Sequence, residues 1–488
     1  MKKTIIITLA LAIVLITGCN KLKDFGNTNT NPAATNNPIT SALLTNVESG
    51  LGSTWTGQAT YCQYFSETQY PSVSLYSLNL ASPMGNYSGA LYDLQNIINN
   101  NTDPALKGAA LLNGANENQI AIARILKAYI FWHITDRWGD VPYFGALKGD
   151  PNVYFTQQDS IYKDLINELT LSVAQFTTAG AAPIKGDIIY GGDVTKWQKL
   201  ANSMRMLMAL RISKVYPNAS DYAATQFKAA LTDPAGYIAS NADNFQISYP
   251  GSNFKNIFYS LYDGRNDWAE SETMTTLMTA LNDTRQTAFG ATGTGGASSQ
   301  GVPYGRVRDF TDPWVQAHTA TYAWVLNPTM RTQTSTLYIV TAASVTLARA
   351  EAADRGWTSE TANTNTLYQA GITLSFTQWG LAAPSAAYLS SAPVALTGAF
   401  GTNLNISFIA TQQYVAYYPD GMQGWSNWRR TNFPALVPAP DATNSPKVIP
   451  RRYMYGTNDY SLAAAGTNAA AARLTGGDKM DSRIWWDK

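Results

Sequence analysis

The sequence predicts a mainly α-helical fold, with one large domain, long irregular loops and little β-strand. Apolar residues recur at the three- and four-residue spacing of a helix in several long segments, whereas alternating strand patterns are few and short. Hydrophobic residues make up 45% of the 488 residues and charged residues only 14%, so a large core can form. No strong linker divides the chain after residue 41, which favours a single domain over residues 40–488.

The helical segments follow one another along most of the chain. Residues 119–138 are apolar on nearly all sides, which predicts a central buried helix that ends at Gly139 and Pro142. Thr156 to Asp159 resemble a capping box and predict the start of a helix with one apolar face. Further helices are predicted over residues 195–215, 220–231, 272–281, 337–355 and 366–379.

The first 39 residues predict export and a lipid anchor. Lys2 and Lys3 precede an apolar run over residues 5–16, which is too short to span a bilayer and is typical of a signal peptide. Residues 16–19, Ile-Thr-Gly-Cys, resemble the lipobox of bacterial lipoproteins. We therefore expect residues 1–18 to be removed, Cys19 to be lipidated, and the polar residues 19–39 to form a flexible tether. The mature chain is predicted to be anchored to a membrane rather than to cross it.

Long aromatic, Gly- and Asn-rich loops separate the helices, notably over residues 55–92, 237–268 and 289–326. Loops of that length in a compact domain are often functional. The chain has 13 Trp and 28 Tyr residues, whose rings can stack on a sugar or a peptide while their polar atoms form hydrogen bonds. We predict a ligand site that draws on Tyr64, Tyr70, Tyr76, Tyr87, Asp267, Trp268 and Trp314.

Composition and motifs exclude several function classes. The net charge of +1, without clustered Lys and Arg, excludes nucleic acid as a partner, because neutralising phosphates requires such clusters. The two histidines, His133 and His318, are far apart, and neither Cys-x-x-Cys nor His-Glu-x-x-His occurs, so no metal site is predicted. No Walker lysine loop or dinucleotide-binding loop occurs either, and no cofactor is predicted.

One group of carboxylates leaves an enzymatic alternative open. Asp263, Asp267, Glu270 and Glu272 surround Trp268 in the sequence, and a glycoside hydrolase or lyase needs only two acidic residues. Loop solvation, helix capping or hydrogen bonding to a ligand is the interpretation we favour for them. A structural adaptor that binds protein and no nutrient is a further alternative.

Four other residues with reactive or charged side chains are predicted to be structural. Cys62 and His133 lie in apolar surroundings, where a buried thiol and a core histidine with its hydrogen bonds satisfied are expected. Arg429 and Arg430 follow closely on tryptophans, which favours ring stacking and buried ion pairing over a role in holding a substrate.

Several segments, in order along the chain, resemble the SusD/RagB family of outer-membrane lipoproteins from Bacteroidetes. The match includes the helix and turn Ala121-Ile122-Ala123-Arg124 to Asp136-Arg137-Trp138-Gly139-Asp140-Val141-Pro142-Tyr143, the block Gly186-Asp187-Ile188-Ile189-Tyr190 with Lys196-Trp197 and Ser203-Met204-Arg205, the pair Arg349-Ala350-Glu351-Ala352-Ala353 and Tyr368-Gln369-Ala370-Gly371-Ile372, and the later motifs Gln412-Gln413-Tyr414, Trp428-Arg429-Arg430-Thr431, Pro450-Arg451-Arg452 and Trp485-Trp486-Asp487-Lys488. Each segment alone is weak evidence for the resemblance, but the whole set in this order is specific for the family.

This resemblance implies both a scaffold and a role. The scaffold would contain four tetratricopeptide-like helix pairs, with a looped C-terminal half. The role would be that of a nutrient-binding subunit on the cell exterior, which captures an oligosaccharide or peptide without cleaving it. Its partners would be a SusC-like TonB-dependent transporter and the outer-membrane lipid reached through Cys19. Ligand-contacting residues vary within that family, so the resemblance assigns none here.

Overall fold

The computed structural model of the protein describes residues 39–149, 153–177 and 181–488. Within it, Thr40–Lys488 form one compact unit. The predicted signal peptide, Cys19 and the tether up to residue 38 lie outside the described residues. No helix of the described part is long and apolar enough to cross a membrane.

Helices account for most of the regular structure. They are α1 (Thr40–Ser49), α2 (Thr56–Tyr61), α3 (Tyr92–Thr102), α4 (Lys107–Ala110), α5 (Asn116–Trp138), α6 (Gln158–Gln175), α7 (Val194–Arg211), α8 (Tyr222–Leu231), α9 (Ile257–Leu261), α10 (Glu272–Leu281), α11 (Gln286–Phe289), α12 (Arg308–His318), α13 (Ala342–Asp354), α14 (Thr364–Gln378), α15 (Ala386–Leu389), α16 (Ile406–Tyr417), α17 (Gly421–Thr431), α18 (Thr457–Leu462) and α19 (Ala464–Ala472). Short 3-10 and π-helical turns occupy Pro83–Asn86, Tyr87–Leu91, Leu111–Asn113, Asn241–Asp243, Pro328–Met330, Thr361–Asn363 and Trp485–Asp487.

Consecutive long helices pack as four pairs, namely α5 with α6, α7 with α8, α13 with α14, and α16 with α17. The first two pairs adjoin each other through α6 and α7, and the last two adjoin through α13 and α16. This stacking of helix pairs confirms the prediction of a mainly α, tetratricopeptide-like scaffold. Helix α5 is buried over most of its circumference, as the all-round apolar pattern predicts.

The strands of the described residues are short and pair only two at a time. The antiparallel sheets join β1 (Phe65–Glu67) to β5 (Trp268–Glu270), β2 (Val141–Pro142) to β3 (Phe155–Thr156), β4 (Phe245–Ile247) to β8 (Leu337–Val340), and β6 (Gly290–Ala291) to β7 (Trp324–Val325). The helix predicted over residues 337–355 is therefore wrong in its first turn. Residues 337–340, which include Ile and Val, favour an extended backbone, and Thr341 then caps α13 through Ser344.

The capping box predicted from Thr156 is also wrong. Helix α6 begins at Gln158, and its N-cap residue Gln157 makes no side-chain capping bond. Thr156 belongs instead to β3, where it pairs with Val141. The cap comes from a distant residue, since the Gln158 backbone N–H donates to Asp140 Oδ1 at 2.8 Å.

The four residues predicted to be structural are buried in the core. Cys62 is a free thiol with no exposed surface, and His133 Nδ1 lies 2.8 Å from the Tyr129 carbonyl oxygen. Burial lowers the pKa of His133 to about 3, so the ring is neutral. The Arg429 guanidinium stacks 3.6 Å from the Trp425 ring centre. Arg430 is ion-paired, as described next, which confirms the structural interpretation.

A buried charge network joins α13, α16 and α17. Glu351, which has no exposed surface, accepts hydrogen bonds from Arg430 at 2.5 and 2.7 Å and from Gln413 at 2.9 Å. Arg355, one turn further along α13, lies 2.7 Å from the same carboxylate. The network therefore fixes how the last two helix pairs pack against each other.

A second network ties the C-terminal segment to α5. Asp136 accepts hydrogen bonds from the Trp486 indole N–H at 2.8 Å and from the Tyr162 hydroxyl at 2.5 Å, and it pairs with Arg211 at 3.2 Å. Trp486 has no exposed surface, and its ring centre lies 5.6 Å from the Arg211 guanidinium and 4.6 Å from that of Arg429. These cations and rings hold the C-terminal segment against the central helix.

Two buried carboxyl groups meet where α1 packs on the loop before α7. Asp187 accepts backbone N–H bonds from Ile189 and Tyr190 and the indole N–H of Trp197 at 2.8 Å. Glu48 accepts the Ile188 N–H at 2.7 Å, and its side chain is also hydrogen-bonded to Asp187. Burial and, next, the negative Asp187 raise the pKa of Glu48 to about 10. Glu48 is therefore protonated at neutral pH.

We expect Glu48→Gln to stabilise the protein at pH 8 by about 2–4 kcal/mol. Because the pKa of Glu48 is raised in the folded state, protonated Glu48 is fully compatible with folding only below the ordinary glutamate pKa of 4.5. The free energy of unfolding then decreases as the pH rises from 4.5 toward about 10. Glutamine stays neutral over this whole window. Urea unfolding should show a higher free energy of unfolding for Glu48→Gln than for the wild type at pH 8, and little difference at pH 5. An equal effect at both values, or a gain from the exposed control Glu117→Gln, would contradict the protonated state.

Candidate functional site

The predicted aromatic loops converge on a small group of strands. Strands β1 and β5 pair with Glu67 opposite Trp268, and the Glu270 N–H donates to the Ala323 carbonyl at 2.9 Å. Segments 65–70, 266–270 and 322–325 therefore lie side by side. Each is short and ends in a loop, so side chains at the strand ends reach a common surface.

Glu67 holds the loop that follows β1. Its buried carboxyl group accepts the Ser74 backbone N–H at 2.8 Å and the Ser74 hydroxyl at 2.9 Å. Burial raises the pKa of Glu67 to about 7. This anchor closes residues 67–74 into a compact loop, which presents Tyr70 with 55% of its surface exposed.

The loops present an aromatic surface, which we define as Tyr70, Phe310, Trp314 and Trp324. Trp314 and Trp324 are half-buried against a small apolar cluster of Ala269, Val302 and Tyr322 that is separate from the main core. Phe310, one turn before Trp314 on α12, is 39% exposed. Arg308 at the start of α12 lies 5.6 Å from the Tyr70 ring centre, which places the two loops together. His318 stacks on one face of Trp314 with 4.2 Å between ring centres, and the Arg306 guanidinium lies 4.2 Å from the Phe310 ring centre. Each of these rings therefore leaves at most its other face to a flat apolar ligand.

Polar groups lie directly beside these rings. The Asn266 side-chain amide donates to the Tyr322 hydroxyl at 3.2 Å, and its carbonyl accepts from Gln69 at 3.4 Å. The Trp324 ring stacks on Tyr262 with 4.8 Å between centres and 21° between planes. Rings fixed in this way, with amide groups at their edge, require little ordering when a ligand binds.

Three arginines at this surface are paired with neighbouring carboxylates. The ion pairs are Arg265–Asp267, Arg306–Asp441 at 3.0 Å and Arg308–Asp312 at 2.8 Å. Asp309 adds a further negative charge at the start of α12. Arg331, which lies 5.4 Å from the Trp324 ring centre and donates to the Leu326 carbonyl at 3.0 Å, is buried. Since the three more exposed arginines are paired, the surface favours an uncharged ligand.

The carboxylates of the enzymatic alternative have different surroundings. Asp263 is exposed and pairs with Lys255 at 2.5 Å, and Asp267 pairs with Arg265. Glu272 is exposed in the first turn of α10. Glu270 has no exposed surface, and burial raises its pKa to about 8. Its Oε2 accepts from the Gln286 amide at 2.6 Å.

The structure brings together three of the seven predicted ligand residues. Tyr70 and Trp314 belong to the aromatic surface, and Asp267 lies at its edge. Trp268 is half-buried on the neighbouring strand position, but its ring lies 6.5 Å from Phe65 and packs toward the main core. Alternation along β5 explains this difference, since Ala269 and not Trp268 faces the cluster under Trp314.

Tyr64, Tyr76 and Tyr87 lie away from this surface. Tyr64 has no exposed surface, and its hydroxyl donates to the Tyr414 carbonyl. Tyr76 is 1% exposed, and its hydroxyl accepts the Ala439 N–H at 3.0 Å. The half-buried Tyr87 donates its hydroxyl to the Pro142 carbonyl. These rings fill space between loops and helices, and the aromatic surface forms without them.

Sequence reasoning missed Asn266, Phe310 and Trp324. Two signals point to them once the fold is known. Phe310 and Trp314 are four residues apart and share one face of a helix, and Tyr322 lies two residues before Trp324, where strand β7 begins. Within the ranges that the structure describes, no group of three or more His, Cys, Asp and Glu side chains could hold a metal ion.

Comparison with known proteins identifies relatives over nearly the whole chain. A family model, SusD-like_2, described as starch-binding and associating with the outer membrane, matches residues 29–456. A solved chitin-binding protein is 25% identical, with 92% of this chain and 99% of that chain covered and a TM-score of 0.73. A chitin-binding SusD homolog from Flavobacterium johnsoniae is 23% identical, with coverage of 92% and 98% and a TM-score of 0.78.

A SusD homolog from Bacteroides fragilis is 19% identical, with coverage of 92% and 100% and a TM-score of 0.77. A search of curated protein sequences finds no match. The last two structures, at under 25% identity, show the shared fold. The match to the family model spans most of the chain.

Proposed function

The chain belongs to the SusD-like family, and from this membership we propose that it captures an uncharged oligosaccharide at the outer membrane without cleaving it. The observation that carries the proposal is the aromatic surface of Tyr70, Phe310, Trp314 and Trp324. Sugar rings present flat faces of C–H groups that stack on such side chains, and Asn266 supplies a hydrogen-bonding group at their edge.

Chitin oligosaccharides are the first ligands to test. The relative of 25% identity is described as chitin-binding, and so is the Flavobacterium johnsoniae homolog. The paired charges around the aromatic surface also favour a neutral chain over one carrying carboxylates or sulfates.

We further propose that the protein works with a membrane partner. Family membership supports delivery of the captured sugar to a SusC-like TonB-dependent transporter, and the lipobox sequence supports anchoring through lipid on Cys19. A binding surface held next to a transporter raises the effective concentration of ligand at the pore, so modest affinity is sufficient.

Removing one exposed ring, Tyr70, or one half-buried ring, Trp314, is expected to weaken glycan binding while the protein still folds. Tyr70→Ala and Trp314→Ala should each lower affinity about 10-fold, because each removes a stacking partner worth about 1–2 kcal/mol. Isothermal titration with a chitin hexasaccharide measures the change. Tyr92→Ala is the matched control, since Tyr92 on α3 is 52% exposed against 55% for Tyr70.

The outcome against the proposal is equally clear. Equal binding by Tyr70→Ala, Trp314→Ala and Tyr92→Ala would mean that the aromatic surface is not the ligand site. Release of reducing ends from the oligosaccharide by the purified protein would contradict the non-enzymatic role. Selective binding of an anionic polysaccharide would contradict the assignment to an uncharged ligand.

A further inference from the structure

A cavity of about 320 Å³ lies outside the aromatic surface and plays no part in the function described above. Its walls include Leu78, Met454 and Met480 on the apolar side and Asn444, Lys479 and Asp481 on the polar side. Pockets that hold small ligands begin at roughly this volume and combine apolar walls with a few polar groups.

The polar side of the cavity has unused hydrogen-bonding capacity. Across residues 39–149, 153–177 and 181–488, neither Lys479 nor Asp481 forms an ion pair or a side-chain hydrogen bond. Asn444 donates its amide to the Val448 carbonyl at 2.7 Å, and its Oδ1 is buried without a partner. An ammonium group, a carboxylate and an amide oxygen together suit hydroxyl groups, which both donate and accept hydrogen bonds.

The cavity adjoins the aromatic surface through one short chain segment. Asp441 accepts from Arg306 at 3.0 Å and from the Val307 N–H at 2.9 Å, immediately before α12. Two residues later, the Thr443 N–H donates to the Leu75 carbonyl at 2.8 Å, and Thr443 lines the cavity. Since two residues span at most ~7 Å, the near wall of the cavity lies close to the base of α12.

We propose that this cavity is a second subsite, which takes a sugar ring further along the same uncharged glycan that the aromatic surface holds. The inference rests on the proposed function. Leu78, which is 66% exposed, and the two methionines contact the apolar face of the ring, and Lys479 and Asp481 bind its hydroxyls. A chain long enough to reach both subsites binds more tightly than a short one, because the second contact is intramolecular.

Ligand length tests the second subsite. The double variant Lys479→Ala/Asp481→Ala should bind a chitin hexasaccharide about 5- to 20-fold more weakly than the wild type and bind the disaccharide equally well. Leu78→Ala, which removes the apolar contact at an exposed position, should give a smaller loss with the same dependence on ligand length. Glu117→Ala/Lys185→Ala removes two exposed charges elsewhere and serves as the control.

The possible results separate this inference from the proposed function. If both cavity variants bind the hexasaccharide like the wild type while Trp314→Ala weakens it, the second subsite is refuted and the proposed function stands. If the cavity variants weaken disaccharide and hexasaccharide equally, the cavity is not a remote subsite. If the wild type binds no glycan of either length, the proposed function fails and this inference fails with it. A thermal melt of each variant confirms that it is folded.

Discussion

Replacing Glu351 with alanine should lower the free energy of unfolding by about 3–5 kcal/mol. The substitution removes the carboxylate that Arg430 and Arg355 share, and Arg430 is then left in the core without its counter-charge. Guanidinium denaturation of the wild type and the variant measures the difference. Glu360→Ala is the control, because Glu360 pairs with Arg349 near the surface, where such pairs contribute about 0–1 kcal/mol.

The same network predicts a response to acid. Burial alone would raise the pKa of Glu351, but Arg430 and Arg355 together outweigh it and lower the pKa to about 2. The ionised Glu351 therefore contributes its full stabilisation to the folded state above the ordinary glutamate pKa of 4.5. This stabilisation is lost as the pH falls toward about 2. The difference in the free energy of unfolding between the wild type and Glu351→Ala should therefore become smaller as the pH falls from 4.5 toward about 2. A gap that stays constant from pH 6 to pH 2 would contradict the ion-paired state of Glu351.

Replacing Trp486 with alanine should also lower the free energy of unfolding by about 3–5 kcal/mol. The ring is fully buried, so its removal leaves a cavity next to the guanidinium groups of Arg211 and Arg429. Trp486→Phe keeps most of the ring and loses the indole bond to Asp136, for which we expect a cost of about 1–3 kcal/mol. Urea unfolding separates the two effects. A cost below 1 kcal/mol for alanine would show that the C-terminal segment is not held by this ring.

The scaffold is largely predictable from sequence because its long helices have complete apolar periodicity. The prediction over residues 337–355 failed where strand and helix patterns look alike, since four apolar residues in a row fit either. The predicted start of α6 was wrong for another reason. Asp140, eighteen residues before Gln158, supplies the cap, and no local pattern can reveal a cap supplied across the fold.

The ligand surface is less predictable because aromatic residues in loops serve two purposes. Tyr64 and Tyr70 are six residues apart in similar composition, but one is fully buried and the other is 55% exposed. The difference arises from tertiary structure, since Tyr64, directly before β1, is bonded to the Tyr414 carbonyl in the core, and Glu67 holds the loop that exposes Tyr70. Sequence composition therefore indicates that an aromatic ligand surface exists, and the fold is needed to identify which residues form it.

Titration of a chitin hexasaccharide into the wild type and into Trp314→Ala tests the central claim most directly. The claim is that loops on a helical scaffold hold aromatic rings in place for an uncharged glycan. We predict saturable binding by the wild type and about 10-fold weaker binding by the variant, with a cooperative thermal melt for both proteins. Binding that Trp314→Ala leaves unchanged, or a wild type that binds no neutral oligosaccharide, would contradict the claim.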